Sequence, residues 1–419
     1  MTASESRANP GARTALALLL GINLFNYIDR FILSAVEPNI RAAFFAPGDP
    51  NAMAITGSLA PAFLVTYMIS APVLGFLADR FSRWLIVGIC VILWSFATAA
   101  SGFAGTFFAL LATRIFVGIG EGGYGPAAPT ILADYFTLQT RGRVMAIFCA
   151  AIPVGSALGY VLGGTINHQL GWRWAFYLVA IPGIILGLFC FFQKDPRARS
   201  GVRDERRRAR KANYIALLRT RSFVFNCMAQ TAMTFALGGL AFWMPAYLIF
   251  RNQPSELATP IFGGITVVAG LISTLLGGFA ADRLQKRFSG SYFLVSGLGM
   301  LLAFPLFIGT LYAPFPMAWV FLFGAVFFVF LNTGPSNAAL ANVAGPKVRA
   351  TAFALNILII HMLGDALSPP LLGAVAGRSN MNVAFLVVSV AMLISGIIWL
   401  LGMKYLAADT AAVESQPAT

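Results

Sequence analysis

An all-α membrane protein, with about twelve transmembrane helices arranged as two pseudo-symmetric six-helix bundles, is the fold class this sequence predicts. Three observations predict it: the chain is too apolar for water, its apolar runs have bilayer length, and its two halves repeat. Of 419 residues, 58% are hydrophobic and 11% are charged, and the mean hydropathy is +0.78. A soluble domain carries about 25% charged residues. A chain this poor in charge does not cover its own surface in water, whereas a bilayer asks for no polar coat.

A hydrocarbon core about 30 Å thick takes about 20 helical residues. Apolar runs between charged or Gly/Pro-rich breaks fall at roughly 14–37, 53–78, 84–104, 107–132, 144–166, 173–192, 222–249, 259–281, 290–312, 316–341, 350–376 and 382–404. No small-residue cleavage site follows the first run, so it is kept as a span and not read as a signal peptide. The net charge of +14 is distributed on alternate loops: Arg80, Arg83, Arg141, Arg143, Arg283, Lys286, Arg287, Lys347 and Arg349 fall on one side, and only Arg41, Arg173, Arg251 and Arg378 on the other. That bias is the positive-inside pattern. It places both termini in the cytoplasm and removes nucleic acid as the reason for the charge; a bacterial inner membrane is the expected location. Cys90, Cys149, Cys190 and Cys227 all lie in spans without ligand spacing and read as small buried hydrophobes. No metal or cofactor is expected.

The spans divide six and six about an arginine-dense segment. The expected organisation is an N-terminal bundle over 1–192, a basic cytoplasmic linker over 193–221, a C-terminal bundle over 222–405 and a cytoplasmic tail over 406–419. The linker reads as a segment held inside by its charge and in touch with anionic lipid headgroups. GFLADRFSR at Gly75–Arg83 returns as GFAADRLQKR at Gly278–Arg287, and Gly125-Pro126 followed by Arg143 is echoed by Gly334-Pro335 followed by Arg349. Two parallel six-helix halves are the architecture of major facilitator transporters, with the substrate site between the halves. Gly75 and Gly278 permit close helix approach. Asp79, Arg80, Asp282 and Arg283 at the membrane edge, with Arg143, form a charged cluster suited to gating.

A charge at mid-bilayer costs about 2.5–3.5 kcal/mol, so intramembrane charges are functional candidates. Asp29 and Arg30 lie in span 1, Arg114 and Glu121 in span 4, and His361 and Asp365 in span 11. Arg114 and Glu121, seven apart, share a helix face at about 10 Å along the axis. Span 1 adds Asn23, Asn26 and Arg30 as a polar stripe. Two readings stand: a static ion-pair network that holds the N-terminal half together, or a carboxylate that exchanges a proton while an arginine receives an anionic group. His361 and Asp365, four apart, can share a hydrogen bond as a packing or gating pair. Gln230, Thr234, Trp243, Asn332, Ser336 and Asn337 are candidates for an opposite cavity wall.

Gly118, Gly120 and Gly123 in RIFVGIGEGGYGPAAPT match the G-x-G-x-x-G dinucleotide spacing. That motif needs a preceding strand and an acid about 20 positions on. Here the glycines lie inside a membrane span, so they read as close-packing positions. Neither H-E-x-x-H nor G-x-S-x-G occurs, and no sizeable soluble domain is present, which argues against a membrane enzyme or sensor.

NYIDR at Asn26–Arg30, GEGGYGPAAPTILADYF at Gly120–Phe136, RGRVMAIFCAAIPVGSALGY at Arg141–Tyr160 and HMLGDALSPPLLG at His361–Gly373 resemble segments of Spinster (Spns) transporters. The chain departs from the family pattern at Gly122, where alanine is more usual, and at Gly123, commonly serine. The resemblance implies a proton-linked carrier of lysolipid or phosphorylated sphingoid-like amphiphiles, with the proton as coupling ion. It implies protonation at Asp29 and Glu121, with Arg114 pairing Glu121 or meeting a phosphate, or Arg30 in that second role; Asn26 and Tyr124 stand beside them in the matched motifs. Membrane lipids and a small-molecule or lipid substrate are the expected partners, and a monomer is expected. A proton-linked small organic-anion symporter or a drug exporter is the alternative.

Overall fold

The computed structural model describes residues 11–196, 217–344 and 348–414, and every regular element among them is helical. Span 1 is α1 (Ala12–Phe44). Span 2 is broken at Ser58 into α2 (Ala52–Gly57) and α3 (Leu59–Arg80). Spans 3 to 6 are α4 (Arg83–Gly102), α5 (Phe107–Tyr135), α6 (Leu138–Leu170) and α7 (Trp172–Cys190). Spans 7 to 9 are α8 (Arg221–Phe250), α9 (Ser255–Gln285) and α10 (Ser291–Tyr312). Span 10 is α11 (Met317–Phe330) continued by α12 (Thr333–Val343). Span 11 is α13 (Arg349–Ile360), a π-helical turn at His361–Asp365 and α14 (Ser368–Arg378); span 12 is α15 (Met381–Glu414).

Among the described residues, eleven helices are long and apolar enough to cross a membrane by length and composition. The twelfth expected span is α5, which is 29 residues long. Its Arg114, Glu121 and run of glycines lower its hydropathy, so the least apolar span is the one with the most chemistry. Most of the expected linker, 197–216, lies outside the described residues, as do Lys347 and the end of the tail. The first part of the expected tail continues α15 to Glu414.

Contacts divide the chain into two compact units, Met1–Val202 with Phe242–Gly264, and Arg203–Ala241 with Ile265–Thr419. In the first unit α1 packs on α6, while α5 is wedged between α3 and α4. The glycines of α5 make the wedge possible. A Cβ on Gly118 would collide with Thr66 and the Phe63 carbonyl of α3; one on Gly120 would lie 2.8 Å from the Trp94 backbone nitrogen and 2.9 Å from the Cys90 carbonyl of α4. The dinucleotide spacing is therefore two packing faces of one helix. Gly122 and Gly123 are packed in the same way: a Cβ on Gly122 would meet Ser70, and one on Gly123 would meet Cys90 and Leu74. In the same unit Phe262 sets its ring edge on Tyr160, with centroids 4.9 Å apart.

In the second unit α10 packs between α11 and α15. A Cβ on Gly334 would stand 3.3 Å from the Cα of Gly278, so spans 8 and 10 approach closely there. The corresponding pair in the first unit is Gly75 beside Pro126. The buried-cysteine expectation holds for Cys90, Cys190 and Cys227 but not for Cys149, which is exposed on α6. A thiol is small and apolar enough to stand on a lipid-facing or cavity-facing surface.

Candidate functional site

The intramembrane charges of the first unit come together where α1, α4 and α5 meet. Arg30 of α1 places Nη2 2.6 Å and Nε 2.8 Å from one oxygen of Glu121, Oε2. The Glu121 side chain is fully buried, and its other oxygen, Oε1, has no hydrogen-bond partner. Asn26, one turn before Arg30, is buried with its side-chain amide beside that carboxylate. Arg30 is 25% exposed and lies over three aromatic rings, Tyr27 at 5.1 Å, Phe63 at 4.8 Å and Tyr67 at 5.4 Å from the centroids. Rings at that distance stabilise a guanidinium electrostatically.

Asp29 faces away from this pair. Its Oδ2 accepts from Thr98 of α4 at 2.5 Å, and its Oδ1 lies 3.7 Å from Arg114 Nη1. Arg114 also donates to Ser101 at 2.5 Å and lies over the Phe176 ring at 5.3 Å. The pairing thus runs between helices, Arg30 with Glu121 and Arg114 with Asp29, and not along α5 from Arg114 to Glu121. The reason is distance. Seven residues put two side chains about 10 Å apart along the axis, whereas α1 offers an opposite charge at each depth. Tyr124 is buried, and its hydroxyl donates to the Leu19 carbonyl at 2.8 Å, so it ties α5 to α1.

In the second unit His361 Nδ1 lies 2.9 Å from Asp365 Oδ2, with both side chains partly exposed. The hydrogen bond spans the π-helical turn, a feature frequent at functional sites. Gly238 of α8 lets Asp365 approach, since a Cβ there would stand 2.8 Å from the Asp365 Cα. Of the proposed wall residues, Asn337 is exposed and bonds the Thr333 carbonyl. Gln230, Thr234, Trp243 and Asn332 are buried. Gln230 accepts from Asn356 and Thr234 donates to the Ile360 carbonyl, so these two join span 7 to span 11, whereas Asn332 donates to the Val329 carbonyl of its own span.

At the membrane edge Tyr292 donates to Asp282 at 3.0 Å, Arg80 lies over Phe76 at 4.0 Å, and Arg143 is exposed. The side chain of Asp79 lies outside the described residues. Two clusters escaped the sequence reading. Buried Arg83 bridges Asp195 at 2.6 Å and Asp134 at 2.7 Å, joining the starts and ends of three spans. Buried Asn226 accepts from Trp399 at 3.0 Å and donates to the Ser336 carbonyl at 3.2 Å. Both depend on partners more than 50 residues apart, which no local spacing reveals. The signal for the first was a set of unlike charges at adjacent span ends.

The Major Facilitator Superfamily model matches residues 19–369. Protein spinster homolog 3 of Danio rerio is 35% identical over 384 residues, covering 86% of this chain and 76% of the relative. The chain belongs to the Spinster family of the major facilitator superfamily. Protein spinster homolog 1 of Homo sapiens is 35% identical over 404 residues, 89% of this chain and 75% of the human protein. Protein spinster of Drosophila melanogaster is 36% identical, covering 86% of this chain, which spans 61% of the insect protein's length. Among solved structures, a bacterial homolog to the human lysosomal transporter Spinster, in an inward-facing and unoccupied conformation, superposes with a TM-score of 0.80 at 20% identity, covering 98% of this chain and all of the other. A D-xylose–proton symporter superposes at 0.72 with 16% identity over 92% and 96% of the two chains. This Spinster-family chain is therefore a multi-pass membrane transporter and not an enzyme.

Proposed function

We propose that this Spinster-family transporter is proton-coupled and moves an amphipathic anion, lysolipid-like or phosphorylated sphingoid-like, by alternating access. The observation that carries the reading is the buried Arg30–Glu121 pair, in which both Arg30 contacts fall on one carboxylate oxygen. A proton on Glu121 cancels the attraction for Arg30. The guanidinium, already partly exposed and cushioned by three rings, then receives the anionic group of the substrate. A static ion pair gives no such return, because apolar packing replaces it at little cost.

The amphipathic half of the reading is supported by an open apolar groove of about 460 Å³ on the surface of the second unit, lined by Phe223, Met228, Thr231, Phe235, Leu363 and Ile394. It is supported also by a relative, the sphingosine-1-phosphate transporter SPNS2 of Xenopus tropicalis, 32% identical over 394 residues. The cell reading that accompanies it is a monomer in a bacterial inner membrane, both termini cytoplasmic, with the proton in place of any cofactor.

The test uses the purified transporter in liposomes with a fluorescent lysophosphatidic acid as probe. Wild type should respond to an imposed proton gradient. Glu121→Gln should lose that response and keep probe exchange at equal pH. Gradient-driven transport unchanged in Glu121→Gln refutes the coupling role, and transport of a small organic anion in place of the lysolipid refutes the amphiphile.

A further inference from the structure

Asn23, Asn26, Arg30, Ser34, Glu37 and Arg41 follow one another on α1 at intervals of three and four residues, which keeps them on one helical face. From Asn23 to Arg41 the stripe rises about 27 Å, close to the thickness of a bilayer core of about 30 Å. Asn23, Asn26, Ser34 and Glu37 are all buried, and Glu37 has no exposed surface at all. The stripe is a polar track through an apolar interior.

Glu37 repeats the arrangement found at Glu121. One oxygen, Oε1, accepts from Thr56 of α2 at 2.7 Å and from Arg41 at 3.1 Å. The other, Oε2, is buried with no hydrogen-bond partner. The arginine is again the partly exposed member, at 31%. The charged group that acts on Glu37 is Arg41 of its own helix. Around this end of α1, Arg173 of α7 donates to the Ala104 carbonyl, His168 of α6 is exposed, and Asp49 accepts from the Asn51 backbone. Glu37 lies seven residues beyond Arg30, about 10 Å further along the axis, with buried Ser34 between them.

We infer that Glu37 is a second proton-carrying carboxylate, the stop through which protons pass between the far end of α1 and Glu121. The inference rests on Glu121 as the coupling site. A proton reaching the Arg41 end binds Glu37 Oε2 and weakens the Glu37–Arg41 pair. It then moves through the Ser34 hydroxyl, which both accepts and donates, to Glu121 Oε1. Glu37 is left as the carboxylate and pairs Arg41 again. One proton moves, and no other bond is made or broken.

Infrared difference spectra of the full chain in lipid vesicles, acid minus neutral, test this without any substrate. Wild type should show, among the components of the protonated-carboxyl stretch, one from Glu37 and one from Glu121, beside those of Asp29 and the exposed carboxyls. Glu37→Gln, which keeps a partner for Thr56, should lose one; Glu121→Gln should lose the other. After an acid jump at the Arg41 side, the remaining Glu121 component should rise severalfold more slowly in Glu37→Gln than in wild type. A Glu37→Gln spectrum superimposable on wild type, in protein with unchanged circular dichroism, overturns the inference. So does an unchanged rise. Glu37→Asp, should Glu37→Gln fail to fold, must shift one component in frequency or the inference falls. A loss in Glu37→Gln with none in Glu121→Gln would instead remove the coupling role of Glu121 and leave Glu37 as a lone proton site.

Discussion

Removing Arg30 should cost the fold far more than removing Glu121. At 2.6 Å and an effective dielectric of about 20, the pair attracts by about 6 kcal/mol before desolvation is subtracted. The two ends are not equally dependent on it. Arg30 is 25% exposed with three aromatic rings around it, whereas Glu121 is fully buried. Arg30→Gln therefore strands a carboxylate in an apolar interior, and breaking a buried pair in this way costs about 3–5 kcal/mol. Glu121→Gln strands a cation that has rings and partial solvent to hold it, for about 1–2 kcal/mol, as expected for loss of a charge-assisted hydrogen bond. The double variant should be about 1 kcal/mol more stable than Arg30→Gln, giving a coupling of about 2–3 kcal/mol, within the range seen for residues in one network. Unfolding in mixed micelles at neutral pH, followed by far-ultraviolet circular dichroism, measures all four corners of the cycle. Equal costs for the two single variants, or a coupling below about 0.5 kcal/mol, would refute the asymmetry drawn from burial.

Gly120→Val places side-chain carbon against the Trp94 nitrogen and the Cys90 carbonyl, backbone atoms that move only if α4 and α5 separate. It should lower stability by at least about 2 kcal/mol in the same unfolding assay, and an unchanged midpoint would show that this helix contact is soft. Tyr124→Phe removes the 2.8 Å hydrogen bond to the Leu19 carbonyl. The loss should be about 1 kcal/mol with the proton-gradient response retained; a lost response would return Tyr124 to the transport site.

The spans were legible because a membrane helix announces itself locally: twenty apolar residues need no partner to be recognised. The same physics exposed Asp29, Arg30, Arg114 and Glu121, since a charge stands out in an apolar run. Glu37 stood out less. It falls at the end of its run, between Val36 and Pro38 and close to Arg41, and reads as the edge of a loop. Its heptad register with Arg30 was the available signal. Ser34 and Thr56 carry no charge and gave none. The buried set of Asn226, Trp399 and Ser336 joins helices from opposite ends of one half of the sequence, so single-helix patterns are silent on it.

Composition, span length, the repeat of G-F-x-A-D-R and the positions of the buried charges were determined by the sequence alone, because each follows from the cost of placing polar atoms in hydrocarbon. Which charge meets which was decided only in the folded chain. Along α5, Arg114 and Glu121 share a face but stand two turns apart, and α1 supplies Asp29 and Arg30 at matching depths. Pairing is a matter of a few ångströms between helices, and helix-to-helix depth is set by the glycine contacts that seat α5 against α3 and α4, not by spacing along any one of them.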